Sequence, residues 1–262
     1  MFVERHGTGP IAYFGLHGWG GGFETFIPLA RHVPGSATLY AADLPGYGRS
    51  PAPDLWDVEV VGEQIADAIA ATEARQITLV GNCSGAILGL IAARHLEDRI
   101  ARFVLIDPFA FVPWYFNLFV ATSFGRYAYY STFANPLGRW LTNLSLRGRR
   151  TSRSNLTGSF SRVDHKVAYR YLEMLAGIDG IERFGAVSAP IDIVYGEKTF
   201  GAIKQSVERW RSLWPHARSF ELSGAGHLPL VEATGRLAEI IFAEARSQKP
   251  EAGSRKNMIA VD

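Results

Sequence analysis

Three short stretches set reactive side chains among glycines. Gly81-Asn82-Cys83-Ser84-Gly85 holds the chain's one cysteine with a glycine two residues away on either side. The apolar run 77–80 before it reads as a strand, and residues 86–96 after it read as a helix. Flanking glycines let the backbone turn sharply from strand to helix and hold the central side chain exposed at the strand's end. A thiolate in that place can attack an acyl carbon, and a paired histidine raises the thiolate fraction. Leu16-His17-Gly18-Trp19-Gly20-Gly21-Gly22 follows a second apolar run. Its glycines allow backbone N–H groups to approach a developing oxyanion, with the amides of Trp19 and Ser84 as the expected pair. His17 reads as a loop-ordering residue rather than a base. Ser223-Gly224-Ala225-Gly226-His227 follows the last strand pattern and offers His227 on a loop as general base.

The elements that must position these groups are legible as an alternation. Residues 12–17, 37–43, 77–81, 102–107, 191–196 and 218–223 are short apolar runs bounded by Gly, Pro or Asp, as in parallel strands covered on both faces. Between them, Val61, Ile65, Ala68 and Ile69 recur at helical spacing, as do Ile203, Val207, Trp210 and Trp214, and Leu237, Ile240, Ile241 and Ala245. The alternation predicts an α/β fold with a doubly wound, mostly parallel sheet of about eight strands. It breaks over residues 108–189, where no strand pattern appears. Within 109–140 stand twelve aromatic residues, and within 108–163 there is no Asp, Glu or Lys but seven arginines. The segment closes on a helical pattern at 164–176. We read 1–107 and 190–247 as the core, 108–189 as an inserted helical cap, and the polar stretch 248–262 as a disordered tail.

Composition narrows the class. The 262 residues are 47% hydrophobic, 20% charged and 12% aromatic, ample for a core and too apolar for a disordered chain. One cysteine allows neither an internal disulfide nor a thiolate zinc site. A net charge of +2 argues against nucleic acid as the main partner. The first ten residues lack a basic start followed by an apolar run, so no signal peptide is expected. The apolar stretch 109–124 is interrupted by Pro113 and Asn117 and falls short of the ~20 residues of a membrane span. A cytoplasmic protein without metal or cofactor is the expectation.

Together the motifs resemble the α/β-hydrolase superfamily, as does Ala42-Asp43-Leu44-Pro45-Gly46-Tyr47-Gly48-Arg49-Ser50, which is similar to its D-x-P-G-x-G-x-S turn. The resemblance covers roughly residues 10–245 and implies a nucleophile, histidine and acid in that fold, with the Asp43–Ser50 turn architectural. Cysteine stands where serine is commoner. The acid site departs too: where relatives carry G-[DE]-x-D, this chain reads Gly196-Glu197-Lys198-Thr199. The family's other acid location corresponds to Asp107, which is the preferred triad acid, with Glu197 as the alternative. An aspartate nucleophile is absent, which argues against dehalogenase or epoxide-hydrolase chemistry.

The aromatic segment predicts a large apolar pocket, with Trp114, Tyr115, Phe116 and Tyr171 as its lining. Arg147, Arg149, Arg150 and Arg153 are candidate contacts for an anionic carrier, either coenzyme A or an acyl carrier protein; the competing reading is a solvated basic loop. The expected activity is acyl-ester or thioester cleavage through an acyl-cysteine, thioesterase-like, with hydrolysis, acyl transfer or cyclisation all open. A plain carboxylesterase or lactonase, a carbon–carbon bond hydrolase, and a low-turnover receptor on the same fold are the alternatives.

Overall fold

The computed structural model describes residues 1–152, 154–178 and 180–247. Arg153 and the stretch 248–262 lie outside the described residues.

Seven strands form one sheet: β1 (Val3–Gly7), β2 (Ile11–Leu16), β3 (Ala37–Ala42), β4 (Ile77–Asn82), β5 (Ile100–Ile106), β6 (Ile191–Gly196) and β7 (Arg218–Leu222). Their spatial order is β1-β3-β2-β4-β5-β6-β7. All neighbours are parallel except β1 with β3. The six strands read from apolar runs are present. The seventh, β1, has the sequence VERHG and no fully buried residue, so it carries no apolar run to find. The helices are α1 (Ile27–Ala30), α2 (Val58–Ala70), α3 (Ser84–Ala93), α4 (Trp114–Val120), α5 (Ser123–Tyr129), α6 (Pro136–Ser145), α7 (His165–Ala176), α8 (Gly201–Leu213), α9 (Pro229–Glu232), α10 (Thr234–Ile241) and α11 (Ala243–Ser247).

Side chains alternate across the pleat, so each central strand feeds two cores. Phe103 and Leu105 of β5 join one apolar cluster with Phe14, Leu79 and Ile193. Val104 and Ile106 join the other with Tyr13, Val80 and Val194. Each such side chain is worth ~1.5–3 kcal/mol when fully buried. Helices α2, α3, α7 and α8 pack residues into the first cluster, and α10 into the second. The sheet is therefore covered on both faces.

Register brings the functional ends together. Asn82 at the end of β4 lies opposite Ile106 at the end of β5, and Ile106 lies opposite Val194 of β6. Cys83 N–H then donates to Ile106 O (2.8 Å) and Asp107 N–H to Val194 O (2.8 Å). Between β5 and β6 the chain runs through α4–α7 and makes no strand among the described residues.

Candidate active site

Cys83 is the N-cap of α3, at φ 52° and ψ −116°. Few non-glycine residues accept a positive φ, and the surroundings impose it here. A Cβ on Gly85 would lie 2.4 Å from both Leu16 O and His17 O, and one on Gly81 would lie 2.4 Å from Ala86 Cα. Only glycine permits α3 to start this close to β2 and to fold back on β4, and that closeness lifts the thiol out of the sheet edge. Cys83 is partly exposed and unbonded to another cysteine.

His227 and Asp107 meet beside it. His227 Nδ1 lies 2.7 Å from Asp107 Oδ2. Asp107 is fully buried and also has a positive φ, 47°. An ionised carboxylate needs several donors when buried. Besides the imidazole it receives Gly196 N–H on Oδ1 (3.1 Å) and the Thr199 hydroxyl on Oδ2 (2.5 Å). Thr199 Oγ1 is also 3.2 Å from His227 Nδ1. Thr199, at the place where the family resemblance implies an acid, thus serves as a donor to Asp107, the residue that follows β5. Burial disfavours the charged form of His227. The Asp107 hydrogen bond, a hydrogen bond with Cys83 and the charges of both outweigh it, and the histidine is pushed up to about 10. With Nδ1 committed to Asp107, Nε2 is the ring nitrogen left for Cys83.

The loop that carries His227 is clamped from several sides. His227 N–H donates to Arg149 O (3.0 Å), and Gly226 N–H donates to Glu232 Oε2 (2.5 Å). The rings of Phe200 and Phe109 lie 4.7 and 6.1 Å from the imidazole. Neither Phe109, Phe200 nor Glu232 has a sequence signature that ties it to the histidine.

Trp19 and Ser84 both line the cavity with Cys83. Ser84 opens α3, so its N–H is one of the helix's unpaired first-turn donors. The Gly18 backbone lies close by: a Cβ there would be 3.0 Å from Cys83 Cβ. His17 is fully buried, 2.8 Å from Gly18 O through Nδ1, and accepts Leu44 N–H on Nε2 (3.0 Å). That pair of bonds assigns the proton to Nδ1. Burial lowers its pKa to about 4, so His17 stays neutral and ties the glycine turn to the turn after β3. Asp43 in that second turn accepts Phe23 N–H and Arg49 N–H, an architectural use of its carboxylate.

A cavity of about 1220 Å³ opens above the thiol. Tyr115 and Phe116 line it, together with Phe119, Phe133 and Phe160. Two expected lining residues do not. Trp114 is 73% exposed, and Tyr171 is buried against Tyr47 and Trp56, with its hydroxyl donating to Pro45 O (2.9 Å). Aromatic content marks the segment, but the turn of each helix decides which rings face inward. Glu197 is likewise elsewhere. It accepts Gly224 N–H (2.7 Å) and the Ser223 hydroxyl (3.2 Å), and the Gly224 bond holds its pKa below the usual value; the contact to His227 belongs to Asp107. Among the arginines, Arg150 turns inward and donates to Thr151 O and Ser154 O, which removes it from an anion surface. Arg149 lines the cavity and donates to Thr199 O (3.1 Å). Arg147 is exposed.

The fold that brings these groups together is matched by a known family. The model of the family described as alpha/beta hydrolase fold matches residues 16–234. This chain belongs to that family. As an α/β hydrolase it is similar to the pimeloyl-[acyl-carrier protein] methyl ester esterase of Hamiltonella defensa, 24% identical over 90% of this chain and 93% of the relative. The enzyme of the same name from Chromobacterium violaceum is 35% identical over 40% of each chain. Among solved structures, a thermophilic esterase from Thermogutta terrifontis superposes with a TM-score of 0.75 at 19% identity, covering 94% of this chain and 93% of that one. The enol-lactonase from Burkholderia xenovorans gives 0.73 at 15% identity, covering 94% and 96%. At these identities the structures speak to the fold.

Proposed function

We propose that this α/β hydrolase cleaves esters of apolar acyl groups through an acyl-cysteine. The observation that carries the reading is the 2.7 Å contact between His227 Nδ1 and the buried Asp107, with Cys83 interacting with the same imidazole. Cys83 Sγ, its proton held by His227, attacks the carbonyl carbon. The oxyanion that forms is met by the Trp19 and Ser84 amides, each such donor being worth ~10²–10³ in rate. The imidazolium then gives its proton to the departing alkoxide, leaving the acyl thioester and an alcohol. Water, deprotonated by His227, attacks the thioester and releases the acid and the thiolate. Asp107 holds the imidazole in the required tautomer and balances its charge, and Thr199 holds Asp107. The helical segment 108–189 acts as the cap that encloses the acyl group.

The full-length relative named for an acyl-carrier-protein ester supports a carrier-borne substrate, ester or thioester, as a second reading. Arg147 and Arg149 are both exposed, Arg149 on the cavity wall itself, and would meet the carrier's phosphate. Intact-mass spectrometry after incubation with a panel of acyl esters and thioesters tests both readings. The expected result is a mass increase equal to one acyl group, absent in Cys83→Ala, with Cys83→Ala turnover down by ~10⁶. Turnover that survives Cys83→Ala would refute the acyl-cysteine. For the carrier, Arg147→Glu is expected to raise KM for carrier-linked substrates and to leave a nitrophenyl ester unaffected.

A further inference from the structure

Helix α6 is built inside out. The residues it turns to the cavity include Thr142 and Ser145. Its apolar residues Leu137, Trp140, Leu141 and Leu144 stand at i, i+3, i+4 and i+7, one stripe on a helix, and are 46 to 62% exposed. The helix buries no residue. Its neighbours share the trait: α4 also buries none, with Leu118 exposed, and α5 leaves Phe124 and Tyr127 outside. Among the described residues, nine of the twelve exposed large apolar side chains fall within 108–163. A concentration of this kind marks an interaction surface.

The charges identify what that surface meets. Residues 108–163 contain no Asp, Glu or Lys, and their cations are all arginine. Arg126 on α5 and Arg147 just beyond α6 are exposed. A Trp and Leu stripe on α6, with Phe124 exposed on the neighbouring α5 and exposed arginines on α5 and just beyond α6, is the composition of helices that lie in a membrane interface, and arginines with no acidic residue in the segment favour an anionic one. At ten residues, α6 is about 15 Å long, and no helix among the described residues is long and apolar enough to cross a membrane. The contact is therefore parallel to the surface. The same helices form the cavity wall with Phe116, Phe119 and Thr142, so a lipid-dissolved acyl group would meet the protein on the side where the cavity is lined.

We propose that the outward face of α4–α6 docks on an anionic lipid surface, with Trp140, Leu141 and Leu144 at the headgroup–acyl boundary and Arg126 and Arg147 among the lipid phosphates. The inference does not depend on the chemistry at Cys83.

Sedimentation of the full chain with extruded vesicles tests it, using phosphatidylcholine alone and phosphatidylcholine mixed with phosphatidylglycerol. The expected result is pelleting with the anionic vesicles, weakened at high salt. Trp140→Gln/Leu141→Gln is expected to weaken it by at least about tenfold, as does loss of central apolar anchors elsewhere. Hydrolysis of a short water-soluble ester by that variant stays at the wild-type level, which shows that it is folded. Wild-type protein that remains in the supernatant with anionic vesicles overturns the proposal. So does a wild-type dimer in analytical ultracentrifugation that becomes monomeric in the variant, which would assign the face to a second copy. Capture of a purified acidic carrier protein through the same residues, without vesicle binding, would assign it to a protein partner and equally overturn the lipid reading.

Discussion

The carboxyl edge of the sheet and the helices inserted after it obey opposite rules. At the edge, three fully buried polar side chains are each answered: Asp107 takes three donors, His17 is bonded at both ring nitrogens, and Asp43 takes two amides. In the insertion, α4 and α6 bury nothing, and large apolar side chains face outward. The edge is determined from within the chain. The insertion has an inner face that shapes a cavity and an outer face whose surroundings the fold leaves open. One part fixes atoms to within a hydrogen bond, while the other fixes only which kind of surface is offered.

That contrast can be broken experimentally. The largest effect is expected at the buried acid. Asp107→Asn should lower kcat by ~10⁴, as loss of a tautomer-holding carboxylate does, while Glu197→Gln stays near wild type in the same steady-state assay. Equal losses in both variants would remove the distinction between the two carboxylates.

Next comes acid stability. His17 titrates at about 4 folded against 6.5 unfolded, so between those values the unfolded chain binds more protons and stability falls as pH drops. The loss should approach roughly 3 kcal/mol by pH 4, since the slope between the two values is about 1.4 kcal/mol per pH unit. Denaturant melts along a pH series would read it. His227 has the opposite sign. Its folded value lies above the unfolded one, so its contribution is complete below pH 6.5 and is lost as pH rises through about 10. Imidazole NMR signals follow it directly, and Asp107→Asn should move that titration downward.

Packing comes third. Gly85→Ala would push a methyl carbon to 2.4 Å from two backbone oxygens and should destabilise by ~1–3 kcal/mol. At Gly148 in the insertion nothing lies within 4 Å, so Gly148→Ala should fall within about 0.5 kcal/mol of wild type. Thermal melts of the pair compare the two regions at one stroke. The smallest effect is at Thr199. Thr199→Val removes one donor to Asp107 and should lower kcat roughly tenfold, with Thr199→Ser restoring it.

Much of the edge is legible along the chain. The glycine spacing around Cys83 announces a turn, because only a few backbone paths allow a strand to become a helix in so few residues. The departure at Thr199 points to Asp107. What Thr199 does instead is not legible, since a hydroxyl that donates across strands leaves no pattern in the sequence. β1 escapes for a related reason: an antiparallel edge strand exposed on one side needs no apolar run. In the insertion, composition announces an aromatic cavity but not its geometry. Trp114 and Tyr171 are as aromatic as Tyr115 and Phe116, and only the rotation of α4 and α7 against their neighbours separates them. Arg150 shows the same limit, its charge turned toward carbonyl oxygens by a local turn.

Trp19 joins the two regions physically. Its backbone belongs to the glycine turn beside Cys83, yet its indole sits among Phe116, Phe133 and Phe160, at 5.6, 5.0 and 4.8 Å, and donates to Ala168 O of α7 (2.7 Å). Ring and amide belong to one residue, so α7 cannot shift without tugging on the amide. The molecule thereby carries a mechanical link: one residue belongs both to the turn beside Cys83 and to the packing of the helices over the cavity, so the two regions are seated through the same side chain.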